Sequence, residues 1–518
     1  MTQHTSVSGP GRRLFPIGLV GLIASCLFAG SVVQAQPGEA IPEPPEPRRE
    51  FRGVWVATVA NIDWPSEPGL PTAEAKRELV AILERVDELN LNAVVFQVRP
   101  AGDALYASSL EPWSYWLTGE EGRPPRPMWD PLAFAVEEAH ARGIELHVWL
   151  NPFRADHPSS KSDPAAPALS VREPELVKSY NNHLWMDPGE PAVRRHSLAV
   201  VLDIVERYDI DGVHFDDYFY PYPGRENGEV VPFPDEPSWQ RYRSEGGMLS
   251  RDDWRRRNVN DFVAEVYAGV KRLKPHVDVG ISPFGIYRPG RPDYIRGFDQ
   301  FAQLYADPLL WYRQGWLDYL TPQLYWPIAK PDQSFTGLLR WWAQRNESSR
   351  HLWPGLATYR HGEQPEAYSV DEFVHQVRWS RILGEVSDGH IHFSMKHLMR
   401  GGAAAEVASK LRETLYAEPA LPPATPWAAP DALASPPRIV GARVEGDSVR
   451  VRIDPASLDN ARRWVAQAYR DGSWHTELGL AGEAELTVAT PGGGSVESIV
   501  VRGVDRFGRL SLPASRER

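Results

Sequence analysis

From residue 51 onward, short apolar runs alternate with longer stretches in which apolar positions recur every three or four residues. Runs such as Ala93-Val94-Val95-Phe96 have no polar alternate, the pattern of strands buried on both faces. The chain therefore predicts strands near residues 53–60, 92–99, 144–151, 212–216, 277–282, 319–325, 352–358 and 390–395. Helices are predicted between them. One covers 73–89 with Thr72 as N-cap; another covers 131–142, with Asp130 as cap, Pro131 at the first helical position and Gly143 as the stop. Eight alternations in about 365 residues predict an α/β fold, a (β/α)8 barrel of the TIM type. An open doubly wound sheet is the alternative, but no glycine-rich phosphate loop follows the first strand.

The barrel is assigned residues 51–416, followed by a Pro/Ala-rich linker over 417–437 and a small all-β sandwich over 438–518. Short strands are predicted there near 439–444, 448–453, 464–469, 484–489 and 497–504. With its closing Val504-Asp505-Arg506-Phe507-Gly508-Arg509-Leu510-Ser511, this tail resembles a fibronectin type III-like domain. Residues 36–50 form a Pro/Glu-rich spacer. Residues 1–35 read as a signal peptide: Arg12 and Arg13, an apolar run over 14–30, then Val33-Gln34-Ala35 as the cleavage site. Ile23-Ala24-Ser25-Cys26 also resembles a lipobox, which would place a lipid anchor on Cys26, and Arg12-Arg13-Leu14-Phe15 has some likeness to a twin-arginine signal. Leu27-Phe28 continues the apolar run, which favours simple cleavage. The expected location is the periplasm, soluble or lipid-anchored.

Charge and cysteine content narrow the chemistry. The net charge of -12 becomes -14 once the two signal arginines are removed, which disfavours nucleic acid and polyanionic surfaces. Cys26 is the only cysteine, so the mature chain has neither disulfides nor a thiolate metal site. His140, His147, His183 and His214 lack ligand spacing, and neither metal nor cofactor is expected. Nineteen tryptophans serve packing and sugar faces equally well.

A barrel of this kind carries its site at the carboxyl ends of the strands. There Asp216 and Asp217 adjoin, and mutual repulsion should raise one pKa to suit proton donation. His214, two residues earlier on the same strand face, could hydrogen-bond Asp216. Arg99 and Asn151 could fix a carboxylate or a hydroxyl, and Trp64, Tyr218, Tyr220, Trp326 and Tyr359 are candidate sugar platforms. Asp63, Gln97, Arg154, Gln323 and Tyr325 complete the candidate substrate contacts.

Several motifs in order resemble the bacterial glycosyl-hydrolase-like 10 family over roughly residues 50–415. They begin with Phe51-Arg52-Gly53-Val54-Trp55-Val56-Ala57-Thr58 and Asn61-Ile62-Asp63-Trp64-Pro65, then Phe96-Gln97-Val98-Arg99-Pro100 with Asp103-Ala104-Leu105-Tyr106. Glu111-Pro112-Trp113-Ser114, Leu150-Asn151-Pro152-Phe153-Arg154, the run from Gly212 to Pro221, and Thr321-Pro322-Gln323-Leu324-Tyr325-Trp326 follow. The resemblance implies an exported, often lipid-anchored barrel linked to hydrolysis of peptidoglycan glycan strands. Strand 5, however, has Ser282 where many barrel glycosidases carry a glutamate. Two mechanisms stay open. In one, which resembles O-GlcNAcase-type enzymes, Asp216 orients the substrate's N-acetamido group and Asp217 is general acid/base. In the other, amylase-like, Asp216 attacks and Glu111 or Asp63 donates the proton. The reading from a different class is a non-catalytic glycan-binding envelope protein, and the C-terminal domain could dock an envelope partner.

Overall fold

The computed structural model describes residues 41–517 apart from 363–365, 385–386, 431–432 and 459–460; the signal-like segment and Cys26 lie outside the described residues. Eight parallel strands form the main sheet. They are β1 (Phe51–Val56), β2 (Ala93–Arg99), β3 (Glu145–Leu150), β4 (Gly212–Phe215), β5 (Asp278–Ile281), β6 (Tyr319–Leu320), β7 (His351–Leu352 and Gly355–Leu356) and β8 (Gly389–His392). Each pairs with the next, and β8 pairs with β1. The ring closes through β7, whose first piece bonds β6 and whose second bonds β8. Pro322 and Pro354 explain why β6 and β7 are shorter than their apolar runs, since proline cannot donate to a ladder. The wall nevertheless continues, with Gly355 N–H bonded to Pro322 O at 2.9 Å.

Outward side chains of the strands, Val54, Phe96, Val148 and Val213 among them, pack under the helices in the main core. Those helices are α1 (Thr72–Glu88), α2 (Pro131–His140), α3 (Pro191–Arg207), α4 (Arg251–Leu273), α5 (Pro308–Gln314), α6 (Phe335–Ala343), α7 (Val370–Ile382) and α8 (Gly402–Thr414). Asp130 caps α2 through Ala133 N–H at 3.0 Å. Thr72 does not cap α1: it is the first helical residue, and its hydroxyl goes to Pro127 O at 3.1 Å.

The barrel interior is unusually aromatic, with Phe51 stacked on Trp353 at 3.7 Å and Tyr319 on Trp353 at 4.4 Å. Small residues make the room. A Cβ on Gly280 would lie 1.9 Å from the Tyr319 ring, and one on Gly212 would lie 2.2 Å from His147 Nδ1. Tyr319 Oη joins His147 Nδ1 at 2.9 Å and His214 Nδ1 at 3.1 Å, linking the two buried imidazoles through one hydroxyl.

After the linker come two antiparallel sheets. One contains β9 (Ile439–Glu445), β10 (Ser448–Ile453) and β13 (Glu485–Ala489); the other contains β11 (Ala461–Arg470), β12 (Ser473–Leu480), β14 (Val496–Asp505) and β15 (Ala514–Glu517). These strands meet the barrel at the amino ends of its strands, opposite the site. Arg462 pairs with Asp211 at 3.0 Å and Arg506 with Asp209 at 2.6 Å, while linker residue Trp427 donates to Asp318 at 2.7 Å. Among the described residues no helix is long and apolar enough to cross a membrane.

Candidate active site

At the carboxyl ends of the strands lies a cavity of about 820 Å³, within the size range of small-ligand sites. Its walls include Trp55, Trp149, Tyr218, Tyr325, Tyr359 and Phe393. Among the described residues lining it, Asp216 is the only carboxylate.

Asp216 faces the cavity because it continues the inward register of β4, two residues beyond His214. Its Oδ2 accepts the indole N–H of Trp149 at 3.1 Å and its Oδ1 accepts the backbone N–H of Tyr218 at 3.2 Å. Burial, reinforced by the charge of Asp217, raises the carboxyl to about 7 against the opposing pull of Arg154. Asp217 is buried as well and rises to about 6. Hydrogen bonds from Tyr222 and Gln323 hold it lower than its neighbour. With values of about 7 and about 6, both carboxyls are partly protonated in the range from pH 6 to 7.

The raised Asp216 value should be visible in stability. The Asp216 penalty is absent below the ordinary value of 3.8, grows from there to about 7 because folding must then protonate a carboxyl that is ionised in the unfolded chain, and levels off above. The melting temperature of Asp216→Asn relative to wild type is thus expected to rise between about pH 4 and pH 7. Thermal melts across that range check it, and a pH-independent difference would contradict it.

The other predicted site residues divide. Gln97, Asn151, Arg154, Tyr218, Gln323, Tyr325 and Tyr359 all border the cavity. Arg154 lies with its guanidinium 4.5 Å from the Tyr218 ring centre and is anchored to Pro100 O at 3.2 Å. Asn151 is committed to positioning: its Nδ2 donates to Pro100 O at 3.2 Å and its Oδ1 faces the Trp149 N–H at 3.3 Å.

Six others are placed differently. Trp64 is fully buried, its indole N–H on Ala75 O at 2.9 Å and its ring against Phe96. Tyr220 is likewise core, edge-on to Phe233 and Tyr305, and Trp326 packs on Phe284 beside a neighbouring pocket. Arg99 is buried in a two-pronged ion pair with Glu111. Asp63 pins the loop after β1 to the one after β8, accepting from Ala57 N at 2.7 Å, Ser394 Oγ at 2.8 Å and Lys396 N at 2.7 Å. His214 does not bond Asp216. Its Nε2 accepts from Trp55 at 3.3 Å and meets Ser282 Oγ at 2.9 Å.

These placements bear on proton donors. Glu111 is fully buried, and although burial alone would raise its pKa, the Arg99 charge and the hydrogen bond with His196 hold it below the ordinary value. Both proposed loop donors, Glu111 and Asp63, are thus engaged in structural bonds away from the cavity; Asp217, bonded to Tyr222, does not line it either but directly follows Asp216, which does. Trp55, Trp149, Phe393 and the rim histidines His157, His361 and His397 also line the cavity and were not among the expected residues. The two tryptophans were detectable in principle: Trp149 stands two residues before Asn151 and Trp55 two before Ala57, so each shares the inward face of its neighbour.

Residues 50–374 match the family described as Glycosyl hydrolase-like 10. The chain is 37% identical over 401 residues to Glycosyl hydrolase YngK of Bacillus subtilis, covering 73% of this chain and 74% of that protein. It is 33% identical over 386 residues to Glycosyl hydrolase DigH of Escherichia coli K12, covering 68% and 84% respectively. In shape it matches the PgaB (BpsB) glycoside hydrolase domain from Bordetella bronchiseptica with a TM-score of 0.47 and 13% identity, over 71% of this chain and 99% of that one.

Proposed function

As this chain belongs to the glycosyl hydrolase-like 10 family, we propose that it hydrolyses glycosidic bonds in a cell-envelope glycan, specifically peptidoglycan glycan strands, with Asp216 and Asp217 as the working carboxylates. One observation carries the reading: two adjacent, buried carboxyls at the end of β4, both with raised pKa values and one of them facing an aromatic-walled cavity. Aromatic faces suit the apolar sides of sugar rings, and carboxyls that titrate near neutrality can serve as acid and as base.

The pair supports an N-acetyl-assisted route. In the free protein, burial and the charge of Asp217 favour the protonated form of Asp216. A substrate acetamide N–H donating to Asp216 stabilises that carboxylate, and the proton moves to Asp217. The acetamide carbonyl oxygen then attacks the anomeric carbon while Asp217 protonates the departing glycosidic oxygen. Water, deprotonated by Asp217, reopens the resulting ring and restores the pair. The pH profile of kcat/KM is expected to be bell-shaped with its maximum around pH 6 to 7, since both deprotonation and double protonation remove the acid–base state. A profile flat from pH 5 to 8 would count against the pair.

Export is part of the same proposal, supported by the apolar N-terminal run, and cell fractionation of the full chain tests it. The function itself is tested by mass spectrometry of products from purified glycan strands, with and without stem peptides. Shortened strands support hydrolysis. Strands that are bound but left intact favour the binding-protein reading, for which Ser282 in place of a strand-5 acid is the supporting observation.

A further inference from the structure

Gln97 is wholly buried at the floor of the cavity, and its two polar atoms have unequal company. Its Oε1 accepts the backbone N–H groups of Thr58 and Val59, each at 2.9 Å. Turning the amide over would point an NH2 at two N–H donors, so the orientation is settled by the turn after β1. Its Nε2 then has no hydrogen-bond partner among the described residues. A buried donor left unmatched is costly and uncommon in a native protein, and at the floor of a site it marks a place where a ligand supplies the acceptor.

The neighbours say which acceptor. Gln97 on β2 is in register with Trp149 on β3, and the Trp149 indole N–H is bonded to Asp216 at the end of β4. Across the floor the chain thus presents a donor, an indole and a carboxylate acceptor in that order. A ligand spanning them needs an acceptor and a donor on one small group. An amide carbonyl oxygen and its nitrogen lie roughly 2.3 Å apart, so with a hydrogen bond of about 2.9 Å at each end the reach is roughly 8 Å. Gln97 is level with His214, two residues before Asp216, so two inter-strand spacings and a two-residue advance put the two backbones about 12 Å apart, a gap that the inward-reaching side chains shorten. A single hydroxyl reaches only about 6 Å between the same partners.

We infer that Gln97 and Asp216 form a clamp for the N-acyl group of the sugar, with Gln97 Nε2 donating to the acyl carbonyl, Asp216 accepting the amide N–H and the acyl methyl packed on Trp149. The clamp rests on the glycan reading above and makes it specific: the protein selects N-acetylated over N-deacetylated strands at this position.

Gln97→Glu tests it. The glutamate retains an oxygen for the Thr58 and Val59 N–H groups but turns the free donor into an acceptor. Binding is measured by calorimetry on full-length protein carrying Asp217→Asn to stop turnover, with peptide-free glycan strands and the same strands after N-deacetylation. The expected result is at least a tenfold weaker Kd for acetylated strands, with affinity for the deacetylated, ammonium-bearing strands unchanged or increased, and a melting temperature near that of the parent. Equal losses on both polymers would assign Gln97 a structural role and overturn the clamp, as would no change on either. If the parent binds acetylated strands and Gln97→Glu keeps the same preference, the clamp fails while the glycan reading stands. A parent that binds neither polymer overturns both.

Discussion

Asp217→Asn is expected to lower kcat/KM on peptidoglycan glycan strands by about 10²- to 10⁴-fold, the usual contribution of a positioned proton donor. The loss should fall mainly on kcat, since the carboxyl's work is done when the glycosidic bond breaks. Its dependence on the leaving group is the decisive part. An aryl glycoside of N-acetylglucosamine with an acidic phenol needs little protonation, so Asp217→Asn should recover most of its first-step rate on that substrate. Asp216→Asn should be impaired on the strands to a comparable degree, because its neutral amide oxygen cannot offset the positive charge that develops on the acetamide nitrogen. An improved leaving group should not rescue it. Pre-steady-state release of the phenol from both variants distinguishes the two. Rescue of Asp216→Asn in place of Asp217→Asn would exchange their roles, and rescue of neither would remove general-acid catalysis from this pair. The Tyr222 and Gln323 hydrogen bonds to Asp217 give the argument its structural basis: they keep its pKa near 6, low enough to release a proton and high enough to hold one.

The strand ends were legible in the sequence because barrel strands are buried on both faces and appear as uninterrupted apolar runs, and because Asp216 and Asp217 end one of those runs. What the pattern could not convey is direction around a turn. Trp64 and Tyr220 follow strands just as Tyr218 and Tyr359 do, yet Trp64 turns outward under α1 and Tyr220 enters the core beside Phe233. Trp149 and Trp55 erred in the opposite sense, since within a strand an inward aromatic looks like core until the site is found directly above it. Two further elements left little hydrophobic trace. The short antiparallel sheet of Arg154–Asp156, Val177–Tyr180 and His183–Met186 carries Arg154 to the cavity rim, and β12 alternates only weakly because it is a half-exposed edge strand.

Glu111 shows how burial changes the meaning of an acidic residue at a barrel mouth. It lies in a segment that reads as catalytic, but both its oxygens are taken up by Arg99 and His196, and Arg99 in turn donates to Asn151 O. Asn151 carries the Trp149 indole, which carries Asp216, so the ion pair supports the site from below. Glu111→Gln leaves the Arg99 charge buried without its partner, and breaking such a pair costs about 3 to 5 kcal/mol. The variant is therefore expected to lose that much stability at neutral pH in denaturant titrations. The sign with pH is also determined. Glu111 is held below its ordinary value, so its stabilisation is present above the carboxylate range and lost as pH falls through its folded pKa. The gap between wild type and Glu111→Gln should then close in acid. The folded fraction of the variant should keep its response to leaving-group acidity, because the proton comes from Asp217. A stable Glu111→Gln protein, inactive on strands and restored by an activated aryl leaving group, would make Glu111 the donor after all.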